Sequence, residues 1–168
     1  MSIDTSRKAP TVESIAKMLT ELLGVPTTTK ILSAPIPTAT FRIFSTYVDD
    51  SNKLTWVGGM DIAFGASTGA ALAMLPIGAV TEAIKSGAIT AAMVENSREV
   101  ANVAANLFNT LSGHGHVRLQ DYLVAPKPIP PTIAPLLAKP VHRVDLEVLV
   151  RGYPAGKIAL FRAAPYGA

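Results

Sequence analysis

The segment His142-Arg-Val-Asp-Leu-Glu-Val-Leu-Val-Arg-Gly-Tyr-Pro-Ala-Gly-Lys-Ile-Ala-Leu-Phe-Arg162 decides the fold class. His142, Val144, Leu146, Val148 and Val150 stand two apart, so in an extended chain they line one face of a strand. Gly152-Tyr153-Pro154-Ala155-Gly156 supplies turn chemistry, and Lys157 to Arg162 returns as a second strand. Strands joined by so short a connection pair antiparallel. The same grammar recurs upstream. Phe41, Ile43 and Tyr47 are expected on one face of a strand, Asp49-Asp50-Ser51-Asn52 turns the chain, and Leu54 to Met60 returns carrying Trp56. Within that return, Gly58-Gly59 predicts a bulge or a close backbone approach.

Around the hairpins the apolar period changes to that of a helix. In residues 12 to 23, Ile15, Met18, Leu19, Leu22 and Leu23 recur at helical steps, Thr11 can cap, Glu13 and Lys17 can pair, and Gly24 and Pro26 stop the helix. Lys30 to Pro37, with two prolines, reads as a short edge strand or a loop. Phe64 to Leu75 is rich in Ala and Gly and helical in period; Pro76 then opens a short helix with Ile77, Val80 and Ile84 as its apolar side, and Gly87 closes it. Thr90 caps the longest helix, which runs to about Leu111 and turns Met93, Val100, Ala101, Ala104, Leu107 and Phe108 inward. After the loop Ser112-Gly113-His114-Gly115, the residues Val117, Leu119 and Leu123 alternate as a strand, and Pro126 to Pro140, with six prolines in fifteen residues, reads as an extended connector. Hairpins without a regular helix-strand alternation predict an α+β fold, an antiparallel sheet with helices packed on one face. One domain is expected across residues 1–168, flexible at 1–10 and 163–168.

Composition narrows the function. Apolar residues make up 49% and charged residues 16% of 168, against roughly 25% charged in an average soluble domain, which excludes an intrinsically disordered chain. The net charge of +3 sits unevenly, with eight basic and nine acidic residues up to position 112 and seven and three beyond it. That surplus has no Lys/Arg run and no interleaved aromatics, so no nucleic-acid surface is expected. Absence of cysteine removes disulfides, thiolate nucleophiles and zinc ribbons. The first ten residues are polar, without the apolar core of a secretory signal, and the expected compartment is the cytoplasm. Ile62 to Val80 carries no charge over nineteen residues and contains Gly65-x-x-x-Gly69, yet its many small residues and Pro76 fit a helix buried under a sheet better than a membrane span.

Chemistry concentrates on the long helix. Glu95, Glu99, Asn102, Asn106 and Asn109 follow one another at four, three, four and three residues and form one polar stripe. Asn is a poorer helix former than Lys, Glu, Gln or Arg, so three on one stripe point to a role other than solvation, either bonding to loops or a dimer partner or catalysis. A carboxylate and an amide one turn apart, as at Glu99 and Asn102, can act on a substrate presented by another molecule: the amide aligns a water and the carboxylate pairs with a neighbouring cation. Other constellations are weaker. His114 and His116 with His142 are the only metal candidates, and loop and surface roles account for them better. Gly65-Ala-Ser-Thr-Gly69 places its Ser one position early for a nucleophile elbow, and no phosphate-binding or dinucleotide glycine motif occurs. Trp56 and Tyr47 read as hairpin packing.

The run from Asp61-Ile-Ala-Phe-Gly-Ala-Ser-Thr-Gly-Ala-Ala-Leu-Ala through Glu95-Asn-Ser-Arg-Glu-Val-Ala-Asn102-Val-Ala-Ala-Asn-Leu-Phe-Asn109 resembles the CheC/CheX/FliY family of chemotaxis phosphatases, nearest to its CheX-like members with a single motif. The family pattern is an acidic residue or Ser, three residues, Glu, two residues, Asn, and a Pro a little over twenty residues later; here Glu95, Glu99, Asn102 and Pro126 fill it. The first position holds Glu where Asp or Ser is usual, and Ala105 replaces a frequent glycine. The resemblance implies hydrolysis of the aspartyl phosphate of a CheY-type response regulator, with Asn102 orienting the attacking water and Glu99 pairing with the regulator's active-site lysine. Glu95, Arg98, Asn106 and Asn109 would then be partner-binding positions. It also implies a homodimer, a Mg²⁺ ion carried by the regulator, and no metal or other cofactor bound by this chain. The alternative is a binding module that keeps the fold and docks a receiver domain or a flagellar partner without turnover.

Overall fold

The computed structural model describes residues 9–111 and 116–163. The expected flexibility of the first eight and last five residues, and the loop holding His114, lie outside them. The hairpin read first from sequence lies inside the sheet: strand β5 (His142–Val150) pairs antiparallel with β6 (Gly156–Arg162), Leu146 facing Ile158. Strand β1 (Thr27–Ile31) adds to the outer side of β5. On the other side, β6 pairs with β3 (Leu54–Met60), β3 with β2 (Ile43–Val48), and β2 with β4 (Arg118–Val124). The order is β1-β5-β6-β3-β2-β4, antiparallel throughout.

Helices α1 (Val12–Leu23), α2 (Ile62–Leu72), α3 (Ile77–Ser86) and α4 (Ala91–Asn109) begin and end where their capping residues stand. The Thr11 hydroxyl accepts from Ser14 N, Asp61 from Phe64 N, and Thr90 from Met93 N, while Gly24 and Gly87 close α1 and α3 in the left-handed conformation. The uncharged stretch 62–80 is therefore two helices broken at Pro76. Among the described residues no single helix is long and apolar enough to cross a membrane. Helix α2 is buried from Phe64 to Ala71. Its small residues let α4 cross in contact, because a Cβ at Gly69 would overlap the Met93 carbonyl.

The main core lies between the sheet and these helices and includes Leu146, Val148, Val150, Ile43, Trp56 and Phe108. Phe108 of α4 stacks on Trp56 at 4.7 Å between ring centroids and meets Tyr47 edge-on at 4.8 Å, which fixes the helix over β2 and β3.

Four local expectations are corrected. Phe41 does not share the face of Ile43 and Tyr47; it lies before β2 and packs with Phe44 and Phe161 on the opposite side of the sheet. Leu119 and Leu123 point to opposite faces because the β2–β4 register shifts past Gln120, and one extra residue inverts alternation. The proline-rich connector is not simply extended: it folds into α5 (Ala134–Ala138) and buries Ile133, Leu136 and Leu137 against Phe161 and Val57, giving the sheet a second core. Finally, Ile77 and Ile84 of α3 are exposed, and Val80 and Ala83 are the buried pair. The edge strand near residue 30 exists but starts three residues earlier than read, and Gly58-Gly59 is a close approach, with Ser45 and the Phe41 ring against it.

Candidate functional site

Three hydrogen-bonded ties set α4 on the sheet. The Tyr47 hydroxyl of β2 donates to the Ala101 carbonyl at 2.8 Å, and the Tyr122 hydroxyl of β4 donates to Ser97 Oγ at 2.6 Å. At the far end Asn109 Nδ2 donates to Val117 O at 3.2 Å and Asn109 Oδ1 accepts from Val117 N at 2.6 Å. Burial pushes the Tyr122 phenol up to about 12 and raises that of Tyr47 further, so both remain protonated donors across physiological pH. With Met93, Ser97, Val100, Ala101, Ala105 and Phe108 buried, the opposite side of α4 is fixed as its solvent side.

That side carries Glu95, Arg98, Glu99, Asn102 and Asn106, all exposed. A groove between α4 and β4 is lined by Val94, Glu95, Arg98, Glu99, Asn102 and Leu119. Asn106 stands in a separate groove against α1, beside Met18, Leu22, Val103 and Leu107. Asn109 leaves the stripe and closes the start of β4, so for this amide the loop-bonding reading holds. The side chains of Glu95, Arg98, Glu99, Asn102 and Asn106 have no hydrogen bond or ion pair among the described residues. The structure thus brings five of the six sequence-derived residues to one open face and assigns the sixth to the fold. Pro126 follows β4 and is exposed.

The two described histidines and the serine of the glycine-flanked segment stand on different parts of the fold. His116 precedes β4 and His142 opens β5; three strands lie between, so at about 4.8 Å per strand the two cannot share an ion. No group of three potential ligands occurs among the described residues. Ser67 is buried and donates to the Pro154 carbonyl, a packing role. Sequence reasoning missed the tyrosine ties. Ser97, a hydroxyl on the apolar side of the long helix, was the available signal.

No family model matches the chain, and no curated protein matches it in sequence. Solved structures do match in fold. FliY of Thermotoga maritima superposes with a TM-score of 0.56 over 92% of this chain and 85% of that one, at 10% identity. A structure of the FliM–SpeE complex of H. pylori gives 0.58 over 90% and 80% at 7% identity. A structure of the complex of CheX with CheY, BeF3 and Mg²⁺ from Borrelia burgdorferi gives 0.51 over 89% and 93% at 11% identity. The chain is an α+β protein with an antiparallel sheet of six strands, and its fold is the CheC/CheX/FliY fold.

Proposed function

We propose that this protein hydrolyses the aspartyl phosphate of a CheY-type receiver domain, with Glu99 and Asn102 as the reacting pair. The observation that carries the reading is the state of those two side chains: one turn apart, exposed, lining one groove, and without a partner among the described residues. A helix face that only needed solvation would gain nothing from an asparagine in mid-helix. Asn102 can donate to and accept from one water, which aligns a lone pair toward phosphorus. Glu99 offers a carboxylate to the lysine beside the phosphoryl group. Water oxygen forms the new P–O bond; the bond between phosphorus and the aspartyl oxygen breaks, its electron pair stays on the carboxylate, and the water protons leave with the phosphate as dihydrogen phosphate. The Mg²⁺ belongs to the receiver, so this chain needs only to place a water and a charge. The proposal includes a cytoplasmic location and a homodimer, and sedimentation of the purified protein would test the second.

One observation favours a second reading, docking without turnover. The fold matches a structure of FliM in complex with SpeE as well as it matches that of CheX with CheY. Phosphate release from a phosphorylated receiver domain separates the readings. Asn102→Ala abolishes acceleration and leaves the fold intact if the first is correct; an unchanged rate in this variant eliminates it.

A further inference from the structure

We propose that Arg98 contacts the phosphoryl group in the transition state and is a third catalytic residue of the site, an inference that rests on the phosphatase reading above. The α4–β4 groove presents two carboxylates, Glu95 and Glu99, to a substrate that is itself an anion. Arg98 is the one cation among the residues lining it. Its guanidinium is not used by the fold. Arg143 is held by Asp145 and Arg118 by Asn52, but Arg98 makes no hydrogen bond or ion pair among the described residues, even with Glu95 three residues away on the same helix. An i, i+3 acidic partner that is not engaged leaves the side chain free to extend outward.

Its position follows from helix geometry. At about 100° per residue, Arg98 projects about 40° to one side of Asn102 and Glu99 about 60° to the other. Asn102 therefore stands between a cation and an anion. A water held by the carboxamide would attack phosphorus in line with the departing aspartyl oxygen, while Glu99 on one flank pairs with the partner's lysine beside the phosphoryl group. Arg98, with the longer reach, approaches the equatorial oxygens from the opposite flank. Those oxygens carry the negative charge that spreads as the aspartyl O–P bond lengthens. A planar guanidinium donates to two of them through one rigid fork, where an ammonium acts as a point charge. The covalent balance is that given above; Arg98 neither gains nor loses a proton.

The test is single-turnover loss of phosphate from a phosphorylated receiver domain at increasing concentrations of wild type, Arg98→Ala, Arg98→Lys and Asn102→Ala, with circular dichroism of each variant. Arg98 is exposed and unbonded, so all variants fold. The expected result is a saturated rate at least about tenfold lower for Arg98→Ala, a half-saturating concentration within about twofold of wild type, and partial recovery in Arg98→Lys. A saturated rate equal to wild type, or a loss confined to the half-saturating concentration, overturns the inference while Asn102→Ala still upholds the phosphatase reading. A wild type that accelerates nothing overturns both.

Discussion

The buried ion pair beneath the sheet makes the sharpest stability prediction. Asp145 is 9% exposed and Arg143 21%. Asp145 accepts from Arg143 Nε at 2.8 Å, from Arg143 Nη2 at 2.7 Å and from Ile36 N at 2.9 Å, while the same Nη2 donates to Ile36 O at 2.7 Å. The guanidinium also lies 4.7 Å from the centre of the Phe161 ring. The pair therefore clamps the segment around Ile36 onto the second core. Removing one partner strands the other: Asp145→Ala orphans the Ile36 N–H and a largely desolvated guanidinium, and Arg143→Ala leaves a carboxylate with one donor. Each is expected to cost about 2 to 4 kcal/mol, at the lower part of the range for broken buried pairs because Arg143 retains some solvent. For a domain of this size that is a fall in Tm of about 5 to 15 °C. The double variant Arg143→Ala, Asp145→Ala leaves the Ile36 N–H and C=O unpaired but no buried charge, and is expected to cost at least about 1.5 kcal/mol less than the sum of the singles. Urea unfolding of the four proteins measures this directly. Additivity within about 0.5 kcal/mol would refute the clamp.

Three further outcomes follow from particular contacts. Gly69→Ala drives a Cβ into the Met93 backbone and is expected to destabilise by about 1 to 3 kcal/mol in thermal unfolding; a neutral effect would mean that α2 and α4 do not cross in contact. Asp61 is raised from 3.8, mainly by burial, although Phe64 N, Lys157 N and the Lys157 charge oppose the shift. A raised carboxylate is disfavoured in its charged form by folding, so the penalty is absent below 3.8, grows as pH rises through the folded value and is then constant. Asp61→Asn, which can keep both backbone bonds, should therefore gain stability relative to wild type as pH rises above 3.8 and then level off in urea titrations, and a relative loss over that rise would contradict the assignment. Tyr122→Phe removes the tie to Ser97 and is expected to cost about 1 kcal/mol, with hydrogen exchange faster in α4 than in the β5–β6 hairpin; uniform acceleration would deny it a local role.

Much of this was legible because local chemistry and tertiary packing agree. Thr11, Asp61 and Thr90 cap the helices they precede, Gly24 and Gly87 end theirs, and the two-residue alternation from His142 to Val150 gives the core-facing side of β5. The motif residues Glu99 and Asn102 could be placed on one face from spacing alone. What sequence could not supply was long-range. The extra residue at Gln120 that inverts β4 is visible only against Tyr47 and Thr46, its neighbours across the sheet. The prolines of 126–140 masked Ile133, Leu136 and Leu137, whose burial depends on an apolar surface contributed by Phe44, Val57 and Phe161. Asn109 could not be told from Asn102 or Asn106 by period; only the arrival of Val117 beside it separates a structural amide from the two free ones.

The central claim is that the exposed Glu99–Asn102 face acts on another protein. Its most direct test is the first-order loss of phosphate from a phosphorylated CheY-type receiver of the same organism, alone, with wild-type protein, and with the Glu99→Ala, Asn102→Ala double variant. The account predicts acceleration by wild type and a rate indistinguishable from the receiver alone with the double variant. Equal acceleration by both proteins would contradict it.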